Sequence, residues 1–174
     1  MPKSQSTALP IAYIVLRVLI VVNWLYGAAV LGLVVFANSY PSWFMKAIDV
    51  PAGIEPKPIM IGLTAIATLG LLAVPLNHLI LTRLVRMVQT VSRGDPFIRA
   101  NAYRLNAIAW ALLGLQLLSM AIAGIGKAIA SKEFPLHLDA GFSINGWLAV
   151  ILTFVLARVF AEGALMREDL EGTV

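Results

Sequence analysis

The sequence contains no cysteine. Disulfides, cysteine-ligated zinc, iron–sulfur clusters and thiol catalysis are all excluded by that one absence. Histidine is nearly absent too: His78 and His137 are the only two, and they lie far apart in the chain. Charge is scarce, with 13% of the 174 residues charged and 60% hydrophobic. A soluble domain has about 25% and about 45–50%. There is no HExxH, no DxD-type metal cluster, no nucleophile elbow and no glycine-rich phosphate loop. No group of carboxylates falls at mid-depth in an apolar run, where a transporter would carry its coupling ion or proton. Internal repeats, low-complexity stretches and any polar segment long enough for a separate soluble domain are also missing. These absences point to a non-enzymatic chain with no catalytic, cofactor-binding or metal-binding residue.

What the sequence does contain is long apolar runs. They cover 11–36, broken by Arg17 and Asn23, then 59–81, 105–125 and 144–163. The fourth is apolar to Ala157 and needs part of the semi-polar stretch beyond it. About 20 apolar residues cross a bilayer's hydrocarbon core. The expectation is an all-α membrane protein: a four-transmembrane-helix bundle forming a single domain over 1–174. The first run follows Lys3, and Ala37, Asn38 and Ser39 weakly imitate a cleavage site. It is longer than the roughly 7–15 residues of a signal-peptide apolar core, so it reads as a retained helix.

Lysine and arginine set the orientation. Lys3, Arg17, Arg83, Arg86, Arg93, Arg99, Arg104, Arg158 and Arg167 fall on one side of the four-span topology. Lys46, Lys57, Lys127 and Lys132 fall on the other, near Asp49, Glu55, Glu133 and Asp139. The arginine-rich side, with both termini, is expected in the cytoplasm. The arginines of 82–104 resemble a nucleic-acid patch in composition, but they read as topology determinants that touch anionic lipid. No direct nucleic-acid binding is expected; the bilayer is the first partner, and a homo-oligomer is compatible with the pattern.

Helices two, three and four are expected to extend into the cytoplasm. Leu84, Val85, Val88 and Val91 keep helical periodicity past the second run. Gly94 then reads as a helix stop, Asp95 as an N-cap and Pro96 as the first position of the next helix. The fourth helix continues through Arg158 and Glu162, which share a face. That pair reads either as a docking pair or as boundary charges that snorkel to headgroups. An 11-residue extension reaches about 16 Å beyond the bilayer. In the outer loop Tyr40, Trp43 and Phe44 are aromatic-belt residue types, and 42–48 suits a short interfacial helix.

Inside the membrane Pro75 removes a bond to the Leu71 carbonyl, and Asn77 and His78 follow it. This is either a polar pocket at a kink or a set of polar residues near the end of a span. Gly27, Ala28, Gly32, Gly62, Gly70, Ala121, Gly124 and Ala128 read as positions where helices approach closely.

Two segments are more distinctive than the topology. One is Gly94, Asp95, Pro96 and Phe97, followed by Asn101, Arg104 and Leu105. The other is the tail 159–174, VFAEGALMREDLEGTV, with the acidic residues Glu168, Asp169 and Glu171. Together with four spans in this order they resemble the bacterial family known as domain of unknown function 2975. The resemblance implies a multi-pass protein of the bacterial inner membrane with no transferable enzyme activity. Members are often encoded beside a small helix-turn-helix regulator, so it also implies a membrane partner that tethers such a regulator. Gly94, Asp95, Pro96, Phe97, Asn101, Arg104, Arg158, Glu162, Glu168, Asp169 and Glu171 are then the candidate docking residues. The basic 82–104 hairpin and the acidic tail offer complementary charge, for self-packing or for a basic partner. The tail's interleaved Phe160, Leu165, Met166 and Leu170 need an apolar partner, for which the chain offers Leu84, Val88 and Phe97. The alternative function is a small-molecule transporter, channel or membrane ligand sensor built on Pro75, Asn77 and His78.

Overall fold

The computed structural model describes residues 8–50, 55–130, 136 and 138–171. Lys3, Pro51, Ser131, Lys132, Glu133, His137 and the final 172–174 lie outside the described residues, as does the side chain of Glu171. The described chain is helical: α1 (Ala8–Ser39), α2 (Pro41–Ala47), α3 (Pro56–Ser92), α4 (Arg99–Ile129) and α5 (Ile144–Glu171). No strand occurs among the described residues.

Four of these helices, all but α2, are long and apolar enough to cross a membrane. They overshoot what a crossing needs. The 37 residues of α3 make a rod of about 55 Å at 1.5 Å per residue, against a hydrocarbon core of about 30 Å. The expected extensions of the second and fourth spans are therefore present as continuous helix. The short helix of the outer loop is present as well, started by Pro41. It ends where Asp49 turns left-handed, at φ 53°, with the Val50 amide donating back to the Met45 carbonyl. Phe36, Tyr40 and Trp43 pack their rings together at this end.

The bundle is built in sequence order. Helix α1 packs on α3, α3 on α4 and α4 on α5, and among the described residues no comparable contact closes the ring from α5 back to α1. Because lipid tails are as apolar as leucine, close approach at small residues drives such packing more than burial does. Gly27 sits against the isopropyl group of Val74, Gly62 against Ile129 and Gly114 against Leu76. Gly32, Gly70 and Gly124, expected to serve the same purpose, face open space instead. Each lies on a helix surface that no neighbouring helix covers. In α1 only Gly27 and Ala37 are buried.

Contacts between the helices set their relative heights. The Asn23 side-chain amide donates to the Val74 carbonyl (3.0 Å). Tyr13 and Ile14 line a hollow with Val88 and Gln89. Arg104 reaches the Arg86 carbonyl (3.4 Å), and Arg158 shares a groove with Tyr103 and Asn106. Arg17, Arg83, Arg86, Arg104 and Arg158 thus lie at nearly one level across all four long helices. The turn between α3 and α4 and the end of α5 project past that level; we call this the basic end.

Candidate functional site

The turn at the basic end begins where α3 stops. Gly94 adopts φ 87°, a conformation that costs glycine little and other residues more. Its amide donates to the Val91 carbonyl (3.0 Å) and the Asp95 amide to the Thr90 carbonyl (3.1 Å). This is the Schellman arrangement, which satisfies the last carbonyls of a helix. The break expected at Gly94 is therefore present.

The start of the next helix differs from expectation. Helix α4 begins at Arg99, its N-cap is Ile98, and no side chain caps it. Asp95 is not the N-cap, and Pro96 is not the first helical position. The reason lies in two stronger claims on these residues. The Asp95 carboxylate accepts from Arg167 Nη1 of α5 at 2.6 Å. The Pro96 carbonyl accepts from the side chain of Asn101 at 2.8 Å, and Ile98 is extended (φ −121°, ψ 148°).

Asn101 is the hub of this region and is 0% exposed. Its Nδ2 also donates to the Thr90 hydroxyl (2.8 Å), whose own proton goes to the Met87 carbonyl (2.7 Å). Its Oδ1 accepts from Arg104 Nη1 (2.7 Å). Every polar atom of the side chain is used, as a buried amide requires. The Arg104 guanidinium, always charged, thereby gains a hydrogen-bonded acceptor.

Phe97 bridges to α5. Its ring meets that of Phe160 with centroids 5.1 Å apart and fills the space a side chain at Gly163 would occupy. Arg99 is hydrogen-bonded to Glu168, which raises the Arg99 pKa. The tail of α5 is thus fastened to the α3–α4 turn by an aromatic wedge and two ion pairs. Phe97 serves the tail as expected; Val88 instead faces Leu9 and Pro10 of α1. Glu168 pairs with Arg99 yet stays exposed, as Asp169 is. Arg158 and Glu162 pair with each other on the surface (2.6 Å).

Most of the distinctive motif therefore holds the turn together: Asp95, Pro96, Phe97, Asn101 and Arg104 bond or pack within the protein, and Gly94 supplies the exposed helix stop. A groove between α4 and α5 remains beside it, lined by Arg99, Tyr103, Asn106, Phe154 and Arg158 among others, with a volume of about 390 Å³. Tyr103 and Asn106 were not anticipated. A tyrosine and an asparagine on one face where an apolar run begins were the available signal.

The second polar cluster lies deeper. Helix α3 runs through Pro75 without interruption. His78 Nδ1 accepts from Trp24 Nε1 (3.1 Å), and Asn23 takes the Val74 carbonyl. Asn77 is half-buried, and its side chain makes no hydrogen bond among the described residues. The missed partners, Asn23 and Trp24, are the polar atoms of α1 at this depth. Among the described residues no three His, Asp or Glu side chains come together as a metal-holding group.

Four membrane-crossing helices with arginines gathered at one level define a multi-pass α-helical membrane protein. Residues 38–174 match the family described as protein of unknown function (DUF2975). That is well over half of the chain, and the protein belongs to this family. The match begins at the end of α1, leaving nearly all of that helix outside it. Comparison with curated proteins and with solved structures returns no match.

Proposed function

We propose that this protein is a non-catalytic scaffold of the bacterial inner membrane whose basic end lies in the cytoplasm and docks a soluble partner there. The family resemblance suggests a small helix-turn-helix regulator as that partner. One observation carries the reading. The α5 tail is latched onto the α3–α4 turn by Asp95–Arg167 and Arg99–Glu168, giving a platform well beyond the arginine level. The arginine excess supports the cytoplasmic orientation.

The test is co-purification of the full chain, in mild detergent, with a small helix-turn-helix regulator of the kind the family resemblance implies. Glu168→Arg should lower recovery of the regulator. Combining it with Arg99→Glu should restore recovery by rebuilding the ion pair with its signs exchanged. If the unaltered protein recovers no regulator, or if Glu168→Arg changes nothing, the docking reading fails.

A second reading, a membrane ligand sensor at Pro75, Asn77 and His78, has one observation in its favour. The bond from Trp24 Nε1 to His78 Nδ1 joins α1 to α3, a contact that a polar ligand competing for that nitrogen would break.

A further inference from the structure

We infer that the groove between α4 and α5 binds an anionic phospholipid. Its phosphate lies against Arg158, Tyr103 and Asn106, and an acyl chain runs along Phe154 and Ala157. The groove carries this assignment in three ways.

First, it stands at the right height. Along α5 it runs from Phe154 to Leu165, about 16 Å of helix, with Arg158 part of the way along. Arg158 belongs to the level at which arginines appear on all four long helices, which is where apolar spans meet headgroups. The groove therefore starts within the acyl region and ends among headgroups.

Second, its polar atoms need partners. Tyr103 is 73% exposed, and neither its hydroxyl nor the Asn106 side-chain amide has a hydrogen-bond partner among the described residues. At the boundary between headgroups and acyl chains, an amide that faces lipid gains from a hydrogen-bonding partner. A phosphate and glycerol ester supply the missing acceptors.

Third, the charge fits a bound anion. Arg158 and Arg99 face the groove with side chains 79% and 59% exposed. Each already pairs with a carboxylate, Glu162 and Glu168 respectively. A guanidinium has five donors, so one carboxylate leaves donors for a phosphate. The Arg99–Glu168 pair forms the upper rim. Below it Phe154 and Trp110 meet edge to face (5.4 Å) and continue the apolar wall.

The test uses the full chain in nanodiscs made of equal parts phosphatidylglycerol and phosphatidylcholine, followed by native mass spectrometry of the retained lipid. Phosphatidylglycerol should be retained in clear preference. Arg158→Gln should lower that preference about tenfold, the loss of one hydrogen bond to a charged phosphate. Asn106→Leu should lower it as well. Arg83→Gln, at the same level but outside the groove, should leave it unchanged, and helical content should be that of the parent in all three. Equal retention of the two lipids by the parent protein would overturn the assignment. So would an equal loss in Arg83→Gln and Arg158→Gln, which would mean diffuse attraction. Displacement of the lipid by inorganic phosphate would also overturn it, because the site would then take a free anion.

Discussion

Replacing Asn101 by alanine removes the hub that joins the end of α3 to the start of α4. Three bonds disappear: those to the Thr90 hydroxyl and the Pro96 carbonyl, and the one accepted from Arg104. A neutral hydrogen bond contributes about 1 kcal/mol, and a buried group left unsatisfied costs about 1–3 kcal/mol. Two relaxations reduce the sum. The Thr90 hydroxyl keeps the Met87 carbonyl as its acceptor, and Arg104 is only partly buried and can turn to water. The Pro96 carbonyl loses its Asn101 donor outright. The expected loss is about 2–4 kcal/mol, read as unfolding of the full chain in detergent. Trypsin should at the same time cut faster after Arg93 and Arg99. Thr90→Val should cost about 1 kcal/mol, and the double variant should show a coupling of similar size. If Asn101→Ala shifts stability by less than about 0.5 kcal/mol, the range of an ordinary surface change, and cleavage is unaltered, the hub is misread.

Gly146→Ala would place a methyl carbon 2.1 Å from Gln116 Oε1; it should destabilise by about 1–3 kcal/mol in the same assay, as overpacking does. Gly124→Ala meets open space within a helix and should be neutral or stabilise by up to about 1 kcal/mol. Raising salt should expose the α5 tail to protease, because both of its ion pairs are largely solvent-exposed. Raising pH from 6 to 10 should not weaken the arginine side of the Arg99–Glu168 pair. The raised Arg99 pKa means that its contribution is complete below the ordinary arginine value and is lost only above it. Reporter fusions at Ser92 and after Val174 should be cytoplasmic, and those at Lys57 and Ser131 periplasmic; a periplasmic Ser92 would reverse the proposed orientation.

The spans were legible because each apolar run is about as long as a bilayer is thick, and nothing in tertiary structure overrides that constraint. The stop at Gly94 was legible for a local reason as well: a glycine follows the last periodic residue of the preceding run. Asp95 misled because N-capping is a short-range rule, and its actual partner, Arg167, lies 72 residues away. Asn101 looked like a surface polar residue on a helix face. Its burial depends on Thr90 and Pro96 being folded back over it, which no periodicity encodes. Glu168 is exposed, as an acidic tail suggests; its partner Arg99, 69 residues away, is what the tail alone does not encode. The groove was not legible at all, since two helices form it together and its tyrosine and asparagine are unremarkable on either one alone.

The sequential packing of the helices has a consequence for how the chain is made. Each long helix after α1 packs on the long helix that precedes it, so every docking step can follow as soon as the next span emerges from the membrane-insertion machinery. No early helix must wait for a late one to cover it. The exceptions are the contacts of the tail. Phe97, Asp95 and Arg99 are all in place before Phe160, Arg167 and Glu168 have been synthesised. Closure of the tail on the turn therefore waits until the fourth span has been made, and a copy that mis-inserts that span fails to reach it. A partner that recognises the closed form would ignore such copies, so the latch doubles as a report on the insertion of α5.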